Sequence, residues 1–172
     1  MTATAPPDPS DPSSEPSTTV VPRPPRLPPR WFIRTFWVAH RAWHRATGGR
    51  RGLWRPTPTR WGTMRLMTVG RQSGKERSAI LAYQEDGPAL VTIAMNGWAD
   101  ADPAWWLNLQ AHPEARVELR EGIRPVRGRA AAGEERARLW ERWRALDHDL
   151  DAYAARRTHD TAVVILEPRA TD

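Results

Sequence analysis

The chain has 172 residues, 40% of them hydrophobic, which is enough for one domain with appendages. It has no cysteine, so disulfides and thiolate metal sites are excluded. No run of about 18 apolar residues occurs, so the sequence predicts no membrane-spanning helix.

The formal net charge of +6 is unevenly spread. Residues 1–30 carry three basic and three acidic side chains. Residues 31–81 carry eleven basic residues against one acid, Glu76, and residues 82–172 carry twelve against sixteen. A cationic first half attracts nucleic acid, anionic lipid or a polyanionic small molecule, and composition alone does not choose among them.

Residues 1–30 hold ten of the 17 prolines, with Ser, Thr and Asp between them. Such a segment buries too little to fold and is expected to be disordered or partly polyproline II. It lacks the basic start and apolar run of a signal peptide, so a cytoplasmic location is expected. Trp31 to Thr47 reads as a helix, with Phe32, Ile33, Phe36, Trp37, His40, Trp43 and His44 on one side. Gly48 and Gly49 stop it. Arg34, Arg41 and Arg45 make it basic, so it either packs on the domain or meets the inner face of a membrane, Trp at the interface. His40 and His44 share a face at i, i+4, but no third ligand stands near, and no metal site is expected. The segment 31–62 thus forms a basic aromatic helix and connector ahead of a folded domain over 63–168.

From Met64 the pattern turns to strands: Met64–Val69, Ser78–Gln84 and Leu90–Met95, with a Glu85-Asp86-Gly87 turn. Asp102 as N-cap and Pro103 at the first position predict a helix over Ala104–Ala111. A second hairpin follows, Ala115–Arg120 and Ile123–Ala131. Gly133–Leu146 reads as a helix burying Leu139, Trp140 and Trp143, and Asp149–Arg157 as a short one. Thr161–Glu167 is the closing strand. Six short strands with helices at two joints predict an α+β fold built on a small antiparallel barrel. The absence of Gly-x-Gly-x-x-Gly argues against a Rossmann cofactor site.

The candidate site is the hairpin Thr-Val-Gly-Arg-Gln-Ser-Gly-Lys-Glu-Arg over Thr68–Arg77. Gly70 and Gly74 permit positive φ and close approach, and turn N–H groups form a nest for oxygens. Ser73 adds a donor, while Arg71, Lys75 and Arg77 add charge suited to phosphate or carboxylate. Lys75 is the only lysine in the chain. The loop is not a Walker A motif, since Glu76 follows Lys75 where Ser or Thr is needed. It is not a nucleophile elbow either, since Arg71 and Lys75 flank Ser73 where glycines belong.

The order of motifs is specific. The hairpin is followed by Asn96-Gly97-Trp98-Ala99, by Asp102-Pro103-Ala104-Trp105-Trp106-Leu107-Asn108-Leu109 and by His112-Pro113. Gly133-Glu134-Glu135-Arg136, Tyr153 and Val163-Val164-Ile165-Leu166-Glu167-Pro168 complete the series. From about Phe36 to Pro168 the chain resembles the deazaflavin (F420)-dependent nitroreductase family, common in high-GC actinobacteria. The resemblance implies a split β-barrel like that of flavin reductases and pyridoxamine-phosphate oxidases. It implies coenzyme F420, a deazaflavin with a phosphate and an oligoglutamate tail, with FMN the lesser candidate. It also implies hydride transfer to a quinone, nitro compound or other electron-poor acceptor, by a monomer or homodimer.

By family position, Gly70, Arg71, Gln72, Ser73, Gly74, Lys75 and Arg77 would hold the tail, and Met95, Asn96, Gly97, Trp98 and Trp105 would lie along the ring. Tyr153 is the one named proton-handling candidate. For Trp105, Trp106 and Asn108 the ordinary reading is core packing and a satisfied buried amide. Gln72 stands where the family usually has lysine. Leu150 and Asp147 stand where some members have tyrosines, Trp98 is large for its loop, and Thr158-His159-Asp160-Thr161-Ala162 replaces a commoner pattern. These departures bear on the acceptor more than on the coenzyme. Two other readings of the residues are a non-catalytic barrel binding F420, haem or a lipid-like ligand, and a basic nucleic-acid-binding module.

Overall fold

A computed structural model of the chain describes residues 52–95 and 99–170. The expected tail over 1–30 and helix over 31–47 lie outside them, as do Asn96, Gly97 and Trp98. Six strands form: β1 (Gly62–Val69), β2 (Glu76–Asp86), β3 (Ala89–Ile93), β4 (Glu114–Leu119), β5 (Gly122–Ala130) and β6 (Val163–Pro168). Three helices accompany them: α1 (Ala104–Ala111), α2 (Gly133–Arg144) and α3 (Leu150–Ala154). The strands close a barrel in the order β1-β2-β3-β6-β5-β4, antiparallel at every seam. This is the antiparallel α+β barrel that the strand pattern predicts.

Alternation along the strands decides what lies inside. Met64 and Leu66 of β1, Leu90 of β3, Val117 of β4, Val126 of β5, and Val164 and Leu166 of β6 fill the interior with Tyr83. Helix α1 plugs the barrel with Trp105, Trp106 and Leu109. The alternate residues Val91, Val163 and Ile165 point outward and are covered by Leu139 and Trp143 of α2 and Leu150 of α3. Each such aliphatic side chain contributes roughly 1.5–3 kcal/mol when buried, so β3 and β6 require a helix on their outer face. Trp61 stacks on Trp143 with ring centroids 6.3 Å apart, tying the connector to α2.

The barrel is split on one side. Glu76 to Tyr83 of β2 pair with β1 alone, and only Gln84 to Asp86 pair with β3. Where the strands part, the Thr92 hydroxyl donates to the Ala82 carbonyl at 2.8 Å. Because β3 runs antiparallel to β2, its last residues lie toward the start of β2. The register pairs Ile93 with Val163 and Thr68 with Ala115, so β6 and β4 start at that same end. The β1–β2 hairpin tip, the residues after β3 and the residues before β6 therefore share one end of the barrel.

Three local expectations change. Asp102 is not the N-cap of α1; Pro103 holds that place, and no side chain caps the helix. The Asp102 carboxylate is spent instead on Arg157, a buried cation that needs a counter-charge. Trp140 is half-buried, with its Nε1 donating to Asp151 at 2.8 Å and Arg136 over its ring. The short helix ends at Ala154, before the turns that carry Arg157 inward.

Gly128 faces the plug. A Cβ there would meet Leu109 Cδ1 at 2.9 Å, inside ordinary contact. Gly128→Val is expected to destabilise the protein by about 1–3 kcal/mol through overpacking, read as a lower urea midpoint. An unchanged midpoint would show that α1 does not seat against β5 in this way.

Candidate functional site

The hairpin tip is built by its own backbone. Gly70 N–H donates to the Lys75 carbonyl at 2.9 Å, and Ser73 and Gly74 N–H groups donate to the Gly70 carbonyl at 3.1 and 2.8 Å. The two glycines serve different needs. Gly74 has φ +63°, the left-handed region that favours glycine. Gly70 has no positive φ; instead a Cβ there would meet Ser73 Oγ at 2.9 Å and the Lys75 carbonyl at 3.1 Å. Ser73 Oγ accepts from Lys75 N–H and from Arg77 Nη2, each at 3.4 Å.

The tip is fastened to the plug helix by Asn108. Asn108 Oδ1 accepts from Arg71 N–H at 3.1 Å and from Arg71 Nη1 at 3.4 Å, and its Nδ2 donates to Thr68 Oγ1 at 3.2 Å. Asn108 is 4% exposed and Thr68 3%. The buried amide is satisfied, and in being satisfied it orients Arg71.

Charge at the tip is left open to solvent. Arg71, Gln72, Ser73, Gly74, Lys75 and Arg77 are all exposed. Among the described residues none of the three cations has a carboxylate partner, whereas Glu76, the one acid of the loop, is drawn off to Arg116. The other arginines of this end are differently placed: Arg65 pairs with Glu118 on the outer face of β1 and β4. The expected nest of turn N–H groups does not form: those of Gly70, Arg71, Ser73, Gly74 and Lys75 are spent on protein acceptors, so what the tip presents to solvent is the charge of Arg71, Lys75 and Arg77.

The remaining expected site residues lie on other elements. Met95 is half-buried and packs in the outer cluster with Ile93 and Trp140. Trp105 is 8% exposed and packs inside the barrel beside Trp106, ring centroids 6.4 Å apart. Its placement is that of a core residue. The Tyr153 hydroxyl donates to Asp149 Oδ2 at 3.3 Å. Burial first, and then the Asp149 carboxylate, push the phenol up, so it stays protonated near neutral pH. Among the described residues no cluster of three metal-ligating side chains occurs, and no helix is long and apolar enough to cross a membrane.

Sequence reasoning missed Arg157. Its side chain is 1% exposed, and its guanidinium donates to the Ala94 carbonyl at 2.9 Å, Thr161 Oγ1 at 3.0 Å, the Asp100 carbonyl at 3.2 Å and Asp102 Oδ1 at 2.6 Å. Asp100 in turn accepts from Thr158 N–H at 2.7 Å. Burial opposes the charged form of Asp102, but Arg157 and His159 together outweigh it and hold the carboxyl below its ordinary value. His159 Nε2 lies 2.8 Å from Arg157 Nη2 and 3.2 Å from Asp102 Oδ1; it accepts from the first or donates to the second, and not both at once. In the sequence Arg157 is one arginine of an Arg-Arg-Thr-His run, and nothing local marks it as the buried one.

A family model for F420H(2)-dependent quinone reductases matches residues 37–168. Rv3178 of Mycobacterium tuberculosis, which bears the name of such a reductase, is 32% identical over 118 residues, covering 69% of this chain and 96% of its own. Rv1261c of the same species, named an F420H(2)-dependent quinone reductase, is 31% identical over 65% of this chain and 78% of its own. A solved structure described as a domain-swapped dimer superposes with a TM-score of 0.59 at 25% identity, covering 78% of this chain and 99% of its own. That of an F420-H2 dependent reductase superposes with a TM-score of 0.56 at 25% identity, over 61% of this chain and 93% of its own. The fold, the match over most of the chain and the two reductase relatives agree: the chain belongs to the F420H(2)-dependent quinone reductase family and is an F420-dependent oxidoreductase.

Proposed function

We propose that this protein reduces a quinone with F420H2 and holds the phosphate and glutamate tail of the coenzyme at the Gly70–Arg77 hairpin. The observation that carries the reading is the set of unneutralised cations at the tip, Arg71, Lys75 and Arg77, beside a turn too tight for a side chain at Gly70. This donor set fits the tail. Guanidinium forks and an ammonium match phosphate and carboxylate oxygens, and an exposed hairpin accommodates a chain of several anionic units. Gln72 contributes a neutral amide to the same strip.

Bound F420H2 supplies a hydride, which with one proton takes a quinone to its hydroquinone. The work left to the protein is binding, orientation and exclusion of water. Asn108 keeps Arg71 aimed by taking both its N–H and its Nη1. The unpaired edge of β2, from Glu76 to Tyr83, lies between the hairpin and the residues after β3, and it is the proposed bed for the ring. By family position, Met95, Asn96, Gly97 and Trp98 are the other proposed ring contacts. Trp105 supports the bed from within the barrel. Tyr153 is the proposed proton-handling residue, kept protonated by burial and Asp149. Membership in this family favours reduction over the ligand-storage and nucleic-acid readings of the same cationic barrel.

Two exposed charge contacts contribute about 1 kcal/mol each in water and more where solvent is partly excluded, so losing both costs more than tenfold in affinity. Arg71→Ala with Lys75→Ala is therefore expected to raise the Kd for F420 at least tenfold and to flatten its dependence on salt, measured by fluorescence titration. An unchanged Kd would remove the tail from the hairpin. Asn108→Leu leaves the Arg71 N–H without its acceptor and the buried Thr68 hydroxyl without a partner. It is expected to lower stability by about 1–3 kcal/mol in urea and to weaken F420 binding. Wild-type stability with wild-type affinity would show that the amide is not what aims Arg71.

A further inference from the structure

We infer that Arg157 is a positioning residue for coenzyme binding: its single buried guanidinium fixes the chain on both sides of residues 96–98 to the start of β6. This inference rests on the F420 reading above. The geometry is specific. On one side the guanidinium holds the Ala94 carbonyl, just past the end of β3. On the other it holds the Asp100 carbonyl and the Asp102 carboxylate, immediately before α1. From behind it takes Thr161 Oγ1, while Asp100 returns a carboxylate to Thr158 N–H and Oγ1. One planar fork thus closes a strap whose ends are eight residues apart, Ala94 to Asp102.

A buried arginine is costly, and a barrel needs none for closure. The β3–β6 ladder is complete from Leu90 to Ile93 without it, and the main interior cluster is apolar. What the Arg157 contacts add is fixed placement of Ala94, Asp100 and Asp102, outside the ladder, at the barrel end that also carries the hairpin. Lysine cannot replace it, because four acceptors in different directions need the fork of N–H groups. The carboxylate of Asp102, drawn away from capping α1, is the counter-charge this arrangement requires.

The test compares wild type with Arg157→Lys and Asp102→Asn by hydrogen exchange and by F420 titration. Expected in both variants is exchange at least tenfold faster for amides between Ala94 and Asp102, wild-type exchange in β1 and β4, and an F420 Kd raised at least tenfold. Should Arg157→Lys fail to fold, Asp102→Asn carries the comparison, since it leaves the buried arginine with its carbonyl partners. Wild-type exchange in the strap would overturn the inference, and so would faster exchange with unchanged F420 affinity. Failure of the wild type itself to bind F420 would overturn the functional reading and the coenzyme half of this inference. The exchange comparison would still decide whether Arg157 fixes the strap.

Discussion

A single buried amide joins the core of this protein to its functional edge. Asn108 sits in the helix that fills the barrel, and its two ends face Thr68 of β1 and Arg71 of the hairpin. Trp105, Trp106 and Leu109 fix that helix by burial, so the position of Asn108 is set by apolar packing. The hairpin inherits the position through two hydrogen bonds to one oxygen. Leaving any of these buried groups unpaired would cost about 1–3 kcal/mol, which is why the amide points one way only. The order of dependence runs from strand alternation, to a plugged barrel, to an oriented amide, to an oriented arginine.

The hairpin gathers three cations without a carboxylate into one short turn. Many arginines elsewhere are neutralised in pairs and networks, as Arg138 and Arg142 are by Asp86, and as Arg129 is by Glu135 and Glu167. At the hairpin the cations stand without carboxylates among the described residues, and Glu76 is led away to Arg116. Self-repulsion among unpaired cations disfavours the free protein slightly and favours the bound state of a polyanion. On the proposed function, a phosphate-bearing, polycarboxylate tail would supply the counter-charge that the hairpin lacks.

The barrel was legible because each strand shows its period and each turn its glycine or proline. Ala104–Ala111 was legible to the residue from its flanking prolines, although its capping was not. The hairpin was legible as a cationic glycine turn, but the separate roles of Gly70 and Gly74 emerge only from geometry. Arg157 was not legible at all. Its burial is decided by carbonyls and carboxylates 55 to 63 residues away, and no local pattern encodes such contacts. The same holds for Asn108, whose link to Arg71 spans 37 residues. The burial of Trp105, by contrast, was legible from its residue type and its place in the helix.

The central claim is that affinity for the coenzyme is concentrated at its anionic tail. The most direct measurement is a pair of titrations at two salt concentrations, one with F420 and one with the same deazaflavin ring lacking phosphate and glutamates. The expected result is binding of F420 at least tenfold tighter than the bare ring, with the difference shrinking as salt rises. Equal affinities, insensitive to salt, would contradict the claim and return the hairpin to an ordinary basic turn.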